Sequence, residues 1–362
     1  MTALIFIAVL FVLILVHEWG HYITAKKTGM RVDEFGIGFP PKLFGFKKGE
    51  TEYTLNALPI GGFVRIYGED LTRVGEDIDK DRAFSARPKL AQTIVLLAGV
   101  TMNIILAWML FISVFMLGVP TAISEEAASE DARLQVVQIL SESPLADKLP
   151  LGATITSVAT DSSTLETLHP AQLSEFIKSV EAEPVTIGYS LGESEEKYVT
   201  VTPQNGVIES SPEQLAIGVQ TVLVEDVQYG FFTAIKEATI QTVDALQLIV
   251  VSIANLLYNT IAGTADFSQV AGPIGIYNLV GDAASIGLVS LLMFTAIISL
   301  NLAIINLFPF PALDGGRLLF VAIEAIIRRP IDPIWTSRLN LLGFILLITL
   351  MIAVTYNDIL RL

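Results

Sequence analysis

The sequence predicts a polytopic α-helical membrane protein. It has four transmembrane helices, a strand-forming loop on the cytoplasmic side, and a small α+β domain on the opposite side. Three observations predict it. Four apolar runs are long enough to span a bilayer, Lys and Arg are divided unevenly between the connecting loops, and the segment between the second and third runs alternates like strands. Of 362 residues 52% are apolar and only 16% charged. The mean hydropathy of +0.61 is too high for an ordinary soluble enzyme.

Crossing a hydrocarbon core of about 30 Å takes roughly 20 helical residues. The runs that qualify are Ala3 to about Tyr22, about Ala91 to Gly118, Ala284 to about Pro309, and Leu339 to Tyr356. No Lys or Arg precedes the first run and no small-residue cleavage site follows it, which argues against a signal peptide. The loop 22–92 carries twelve Lys and Arg, and the loop 310–338 carries four. The longer segment 119–283 carries five against 22 acids. The positive-inside rule therefore puts both short loops in the cytoplasm and the acidic segment outside.

Four parts follow in chain order: 1–124 with two spans and the cytoplasmic loop, 125–228 as the soluble domain, 229–283 as an amphipathic helix and linker, and 284–362 with the last two spans. Within 31–68, Arg31–Phe46, Glu52–Ala57 and Phe63–Tyr67 read as short strands. Their dense aromatic residues fit either a sheet packing on itself or a hairpin dipping toward the membrane. In the soluble domain, strands are expected at Leu134–Leu140, Thr154–Ala159, Val185–Tyr189, Tyr198–Thr202 and Leu215–Val224. A helix is expected from Pro170 to Glu181. Phe231 to Ile261 is mostly apolar but carries Lys236, Glu237 and Asp244, so it is expected to lie in the interface rather than to span.

Net charge is −15 and no basic patch stands out, which excludes nucleic-acid binding. With no cysteine, any metal must be held by His, Asp or Glu. Two of the three histidines fall in His17-Glu18-Trp19-Gly20-His21, at the end of the first span. Residues four apart share a helix face, so both imidazoles can reach one ion, and Glu18 can take a proton from water activated there. Ionisable residues inside a span are costly and mark function. A catalytic zinc normally has three protein ligands, so the third must come from elsewhere. Asp314 is the candidate. The third span ends at Asn306-Leu-Phe-Pro309-Phe-Pro311, where the prolines break the helix, and Asp314 follows ahead of Gly315 and Gly316. Asp314 would equally suit a helix cap. His169 lies outside every motif and reads as an ordinary surface or core histidine.

These residues resemble the site-2 protease family of intramembrane zinc metalloproteases, and most closely its bacterial branch typified by the regulator of sigma-E protease. Further matches are Gly99-Val-Thr-Met-Asn103, Asn56–Tyr67 and Gly272-Pro273-Ile274, so the likeness covers nearly the whole chain. The resemblance implies Zn2+ held by His17, His21 and Asp314, with Glu18 as general base. It implies a membrane-associated β-hairpin region that guides an unwound substrate, and an extracytoplasmic PDZ-like domain at 125–228, here single. Asn306 and Asn103 become candidate contacts to substrate, as do Gly61, Gly62 and Phe63. The implied setting is the bacterial cytoplasmic membrane. The implied partners are the bilayer and single-span membrane proteins pre-trimmed by a site-1 protease, such as anti-sigma factors or signal-peptide remnants. The rival readings are a membrane zinc carrier or sensor, and a scaffold that binds substrates without cutting them.

Overall fold

The computed structural model describes residues 1–362 except 70–78, 130, 141, 147, 166–167, 181–182, 193, 208–210, 212, 265–270 and 361–362. Arg73, Glu181 and part of the 229–283 linker therefore lie outside the described residues. The chain forms two compact units, one of Met1–Ser113, Ile235–Gly281 and Leu292–Leu362, the other of Val114–Ala234 and Asp282–Leu291.

In the first unit, α1 (Thr2–Lys27) is almost wholly apolar up to His17. In a lipid setting such a segment must pair its own backbone groups, which a helix does. Lys26 and Lys27 sit in its last turn, where cations oppose the helix dipole. The Thr28 hydroxyl donates to Thr24 O at 2.8 Å, and Gly29, at φ 77°, turns the chain. Helix α2 (Lys89–Leu117) packs closely on α1. A β-carbon on Gly20 would strike the Ala98 backbone, so glycine is what allows the approach.

Between these helices, β1 (Val32–Lys48) and β2 (Thr51–Ile66) form an antiparallel sheet. Each strand doubles back, so residues 32–37 of β1 lie between 52–55 and 62–66 of β2, and 42–48 of β1 pair only with 51–56. The result is a four-segment layer with two unpaired edges, 42–48 and 61–66. Phe39, Leu43, Phe44, Phe46, Leu55 and Leu58 are exposed on it. Its base joins a core in which Val32, Ile66, Ala25, Val95 and Val321 meet.

Glu50, in the β1–β2 turn, ties the sheet to the end of α1. It accepts from Lys26 Nζ at 2.6 Å and from both Arg82 terminal nitrogens at 2.7 and 2.8 Å. The Arg82 hydrogen bonds, with Lys26 beside them, pull its pKa down to about 2. A depressed carboxylate stabilises the fold above its unfolded pKa near 4.5, and that stability is lost as pH falls toward 2. Glu50→Gln is therefore expected to lower the unfolding temperature at pH 6 by a few degrees, because the groups are partly exposed. The gap from the parent should close as pH approaches 2. A gap that is constant with pH would contradict the assignment.

Helix α5 (Pro273–Ile286) starts where Asp358 accepts from the backbone of Gly272 and Gly275 at 3.1 and 2.9 Å. The expected third span from Ala284 is corrected here. Residues 284–286 close α5, Gly287 turns at φ 141°, and α6 runs Leu288–Leu307. Helix α7 (Asp314–Ile327) follows a short loop, and α8 (Pro333–Leu360) completes the unit.

The second unit holds a six-stranded antiparallel sheet ordered β3-β8-β4-β5-β6-β7. The strands are β3 (Val119–Ile123), β4 (Arg133–Ile139), β5 (Thr154–Ala159), β6 (Val185–Ser190), β7 (Lys197–Val201) and β8 (Val219–Val227). Helix α3 (Pro170–Ser179) lays Leu173 and Ile177 on Leu134, Ile155 and Ile187. The expected strand from Leu215 starts instead at Val219, because Gly218 turns at φ 68°.

Helix α4 (Phe231–Ala262) has the extent expected, but its role is not fixed by composition. Among the described residues five helices, α1, α2, α4, α6 and α8, are long and apolar enough to cross a bilayer.

Candidate metal centre

The motif helix brings His17 and His21 to the face of α1 that meets α2, both largely buried. The α6–α7 loop delivers Asp314 to the same place. His17 Nε2 and Asp314 Oδ2 are 3.1 Å apart, His21 Nε2 and Asp314 Oδ2 3.2 Å, and the two Nε2 atoms 3.2 Å. The loop can do this because Gly315 and Gly316 lie against the carbonyls of Leu307, Phe308 and Phe310, where a β-carbon would collide. Asp314 makes no capping hydrogen bond, and Leu313 occupies the cap position of α7. The carboxylate is turned to the imidazoles instead.

The three atoms suit one small cation. His21 Nδ1 donates to the Val95 carbonyl at 2.8 Å, so a neutral His21 has its lone pair on Nε2, facing inward. His17 Nδ1 lies 3.4 Å from the Asn103 side-chain amide, whose Oδ1 is buried without a partner. Turning that amide by half a revolution directs Oδ1 at Nδ1 and leaves the His17 lone pair on Nε2 as well. Two lone pairs and a carboxylate within 3.2 Å repel one another unless a positive charge sits between them. Ligands around a tetrahedral zinc with bonds of about 2.0–2.1 Å stand about 3.3 Å apart, close to this triangle. Among the described residues no other group of three such side chains converges. His169 is outside it, at the start of α3.

Gly99, on α2, forms the wall behind the triangle. A β-carbon there would collide with both imidazoles, so its place in Gly99-Val-Thr-Met-Asn103 has a steric reason. Asn103 is fully buried against His17, and its backbone carbonyl accepts from the Ser299 hydroxyl at 2.8 Å. It reaches the imidazole from behind. Asn306 is half-buried in the last turn of α6.

Glu18 occupies the adjoining face of α1, with His21, His17 and Asp314 as its electrostatic neighbours. With Phe11, Ile14 and Leu15 it lines a narrow crevice whose far wall is Gly36, Ile37, Gly61 and Gly62. A β-carbon on Gly62 would touch Gly36 O, Ile14 and the Glu18 side chain. The unpaired edge 61–66 of β2 thus runs past Glu18, with Phe63 stacked on Phe39 at 6.5 Å. Sequence reading missed three contributors: the Val95 carbonyl, Gly99 as a wall, and Arg317, one turn beyond Asp314 and paired with Glu69. Glu69 above all, with Asp314 and Glu18, holds the Arg317 guanidinium above its ordinary range. Only the glycine had a sequence signal, as a small residue within a span.

Apolar helices around a buried His-His-Asp cage, with a carboxylate beside it, define a membrane-embedded metallohydrolase. The comparisons with known proteins narrow this. Residues 5–350 match peptidase family M50. A Clostridium perfringens protein, provisionally named a zinc metalloprotease, is 35% identical over 351 residues, 96% of this chain and 95% of its own. Zinc metalloproteases RasP of Shouchella clausii and Oceanobacillus iheyensis are 30% and 29% identical, covering all of this chain and 99% of theirs. The chain belongs to peptidase family M50, the site-2 proteases. It is a multi-pass membrane zinc metalloprotease that acts on membrane proteins within the bilayer.

Proposed function

We propose that His17, His21 and Asp314 hold the zinc and that Glu18 is the general base for cutting a single-span substrate laid along the 61–66 edge of β2. The observation that carries this is the crevice in which Glu18, beside the ligand triangle, faces an unpaired strand edge. Zinc in the cage supplies Lewis-acid polarisation of a peptide carbonyl and acidifies water. Glu18 takes the water's proton and passes it to the leaving amine. A helical substrate shields its peptide bonds, so it must unwind, and the β2 edge offers backbone partners to the opened stretch. Gly61 and Gly62 keep side chains out of the crevice, and Phe63 lines the path. Asn306 contacts the substrate near the helix end, whereas Asn103 holds the His17 ring.

Four helices span: α1, α2, α6 and α8. The parity of the chain supports this. Tyr277 packs on Phe6 with ring centroids 5.5 Å apart, and Gly281 adjoins Thr2, so α5 lies at the Met1 end of α1. Helix α2 runs antiparallel to α1, from Ala98 beside Gly20 to Asn103 beside His17, and so ends on that same side. Its 32 residues make α4 about 48 Å long. The ten steps from Ala262 to Gly272 reach at most about 36 Å. A helix standing upright through the bilayer could not return its chain, so α4 lies obliquely or in the interface.

The Lys and Arg distribution orients the Met1 end and the 125–228 domain outward from a bacterial cytoplasmic membrane, with the metal centre toward the cytoplasmic side. The exposed Leu43, Phe44 and Phe46 then face lipid. The acidic domain, which holds β4 to β8 and α3 among its described residues, is PDZ-like and screens substrates by size, admitting those a site-1 protease has trimmed. The test uses purified enzyme in vesicles with a single-span reporter bearing either a short or a folded external domain. The short form should be cut, the long form spared, and phenanthroline should stop the reaction. Equal cutting of both would remove the size screen, and cutting that survives phenanthroline would overturn the metal reading.

A further inference from the structure

A 380 Å³ cavity opens where the 61–66 edge of β2 ends, walled by the Ile66–Glu69 turn, the first turns of α7 and the start of α8. The Arg317–Glu69 ion pair stands in its wall. Glu69 belongs to the turn that closes the edge strand, since its backbone N–H donates to Ile66 O at 3.2 Å. Arg317 is three residues beyond Asp314 on α7 and shares its helix face. One end of the pair is thus anchored to the strand that would carry substrate, and the other to the helix that carries a metal ligand. Beneath it Ile66, Val64, Val321 and Leu318 share one apolar cluster, so the strand and α7 are in contact at their apolar side. The pair fixes the remaining freedom, sliding or tilting of the strand end at the open side.

We propose that Arg317 and Glu69 are positioning residues that set the register between the substrate strand and the zinc ligands, and so decide which peptide bond is cut. This rests on the strand-edge reading above. A substrate paired to the edge can be offset along it by one or more residues. A strand repeat is about 3.3 Å per residue, and a misplacement of about 1 Å can cost about 100-fold in rate, so tilting the strand end weakens the hold on the parent bond relative to its neighbours. The side chains are 44% and 16% exposed, so the pair borders open space and is not a core contact whose loss must unfold the protein. The pair is expected to act on geometry more than on folding.

The experiment uses the full chain in vesicles with a trimmed single-span reporter, reading cut positions by mass spectrometry alongside kcat, KM and zinc content. Glu69→Gln and Arg317→Gln should each keep one zinc per chain and a KM within about twofold. Their kcat should fall about tenfold, and cuts should spread to bonds on either side of the parent position. Arg317→Lys should fall between, and the charge exchange Glu69→Arg with Arg317→Glu should restore the parent pattern. Gly62→Val, which narrows the crevice, serves as the arm for the strand-edge reading and should lower turnover. If Gly62→Val lowers turnover while the pair variants keep the parent cut pattern, the register proposal is overturned and the edge reading stands. If Gly62→Val also cuts like the parent, the edge reading itself falls. Loss of zinc in both Gln variants that the charge exchange does not recover would assign the pair to the metal site's stability and overturn the register role.

Discussion

Replacing Glu18 by Gln is expected to leave one zinc per chain and to lower turnover of a single-span reporter by about 10²–10⁴-fold, the usual weight of a positioned proton carrier. Gln has the shape of Glu, so the crevice between α1 and the Gly61-Gly62 stretch keeps its walls. It cannot take a proton from water, and that step alone is lost. The ligand triangle does not include Glu18, so zinc content should not move. Both quantities are read on the same preparation. Turnover near the parent rate would remove Glu18 from the chemistry, and loss of zinc would make it part of the cage.

Removing Asp314 should give the opposite pattern. Asp314→Ala leaves two imidazoles, one short of the three protein ligands a catalytic zinc normally has. Changes in residues that merely support ligands cost about 10–100-fold in metal affinity, and loss of a ligand should exceed that. Zinc content should fall well below one per chain in micromolar protein, and cleavage with it. The fold should persist, because Asp314 makes no capping hydrogen bond for α7. Helix content by circular dichroism checks this. Full zinc content in Asp314→Ala would show that the third ligand lies elsewhere.

The convergence of His17, His21 and Asp314 was legible because such residues are scarce here and costly inside a span. Two of three histidines sit four apart in an apolar helix, and an aspartate follows two helix-breaking prolines. The partners that hold the cage were not legible. Val95 contributes a backbone carbonyl, which any residue would supply, and Glu69 meets Arg317 across 248 positions. The fold shows the same division. Long apolar runs and alternating strands could be read directly, whereas the break at Gly287 falls inside one continuous apolar stretch. Strand β3 was not expected, because Val119–Ile123 is only five residues long and follows the apolar run of α2 with no more than Gly118 between them. Helix α4 is intermediate in composition, and only the side of the bilayer on which α5 lies argues against its crossing.

The most direct test is the X-ray absorption fine structure of zinc bound to the purified protein. Two imidazole nitrogens at about 2.0–2.1 Å with carboxylate or water oxygens at about 2.0–2.2 Å, four neighbours in all, is the predicted shell. One imidazole should disappear from it in His21→Ala. A shell of oxygens alone, or one unchanged in both His21→Ala and Asp314→Ala, would contradict the cage.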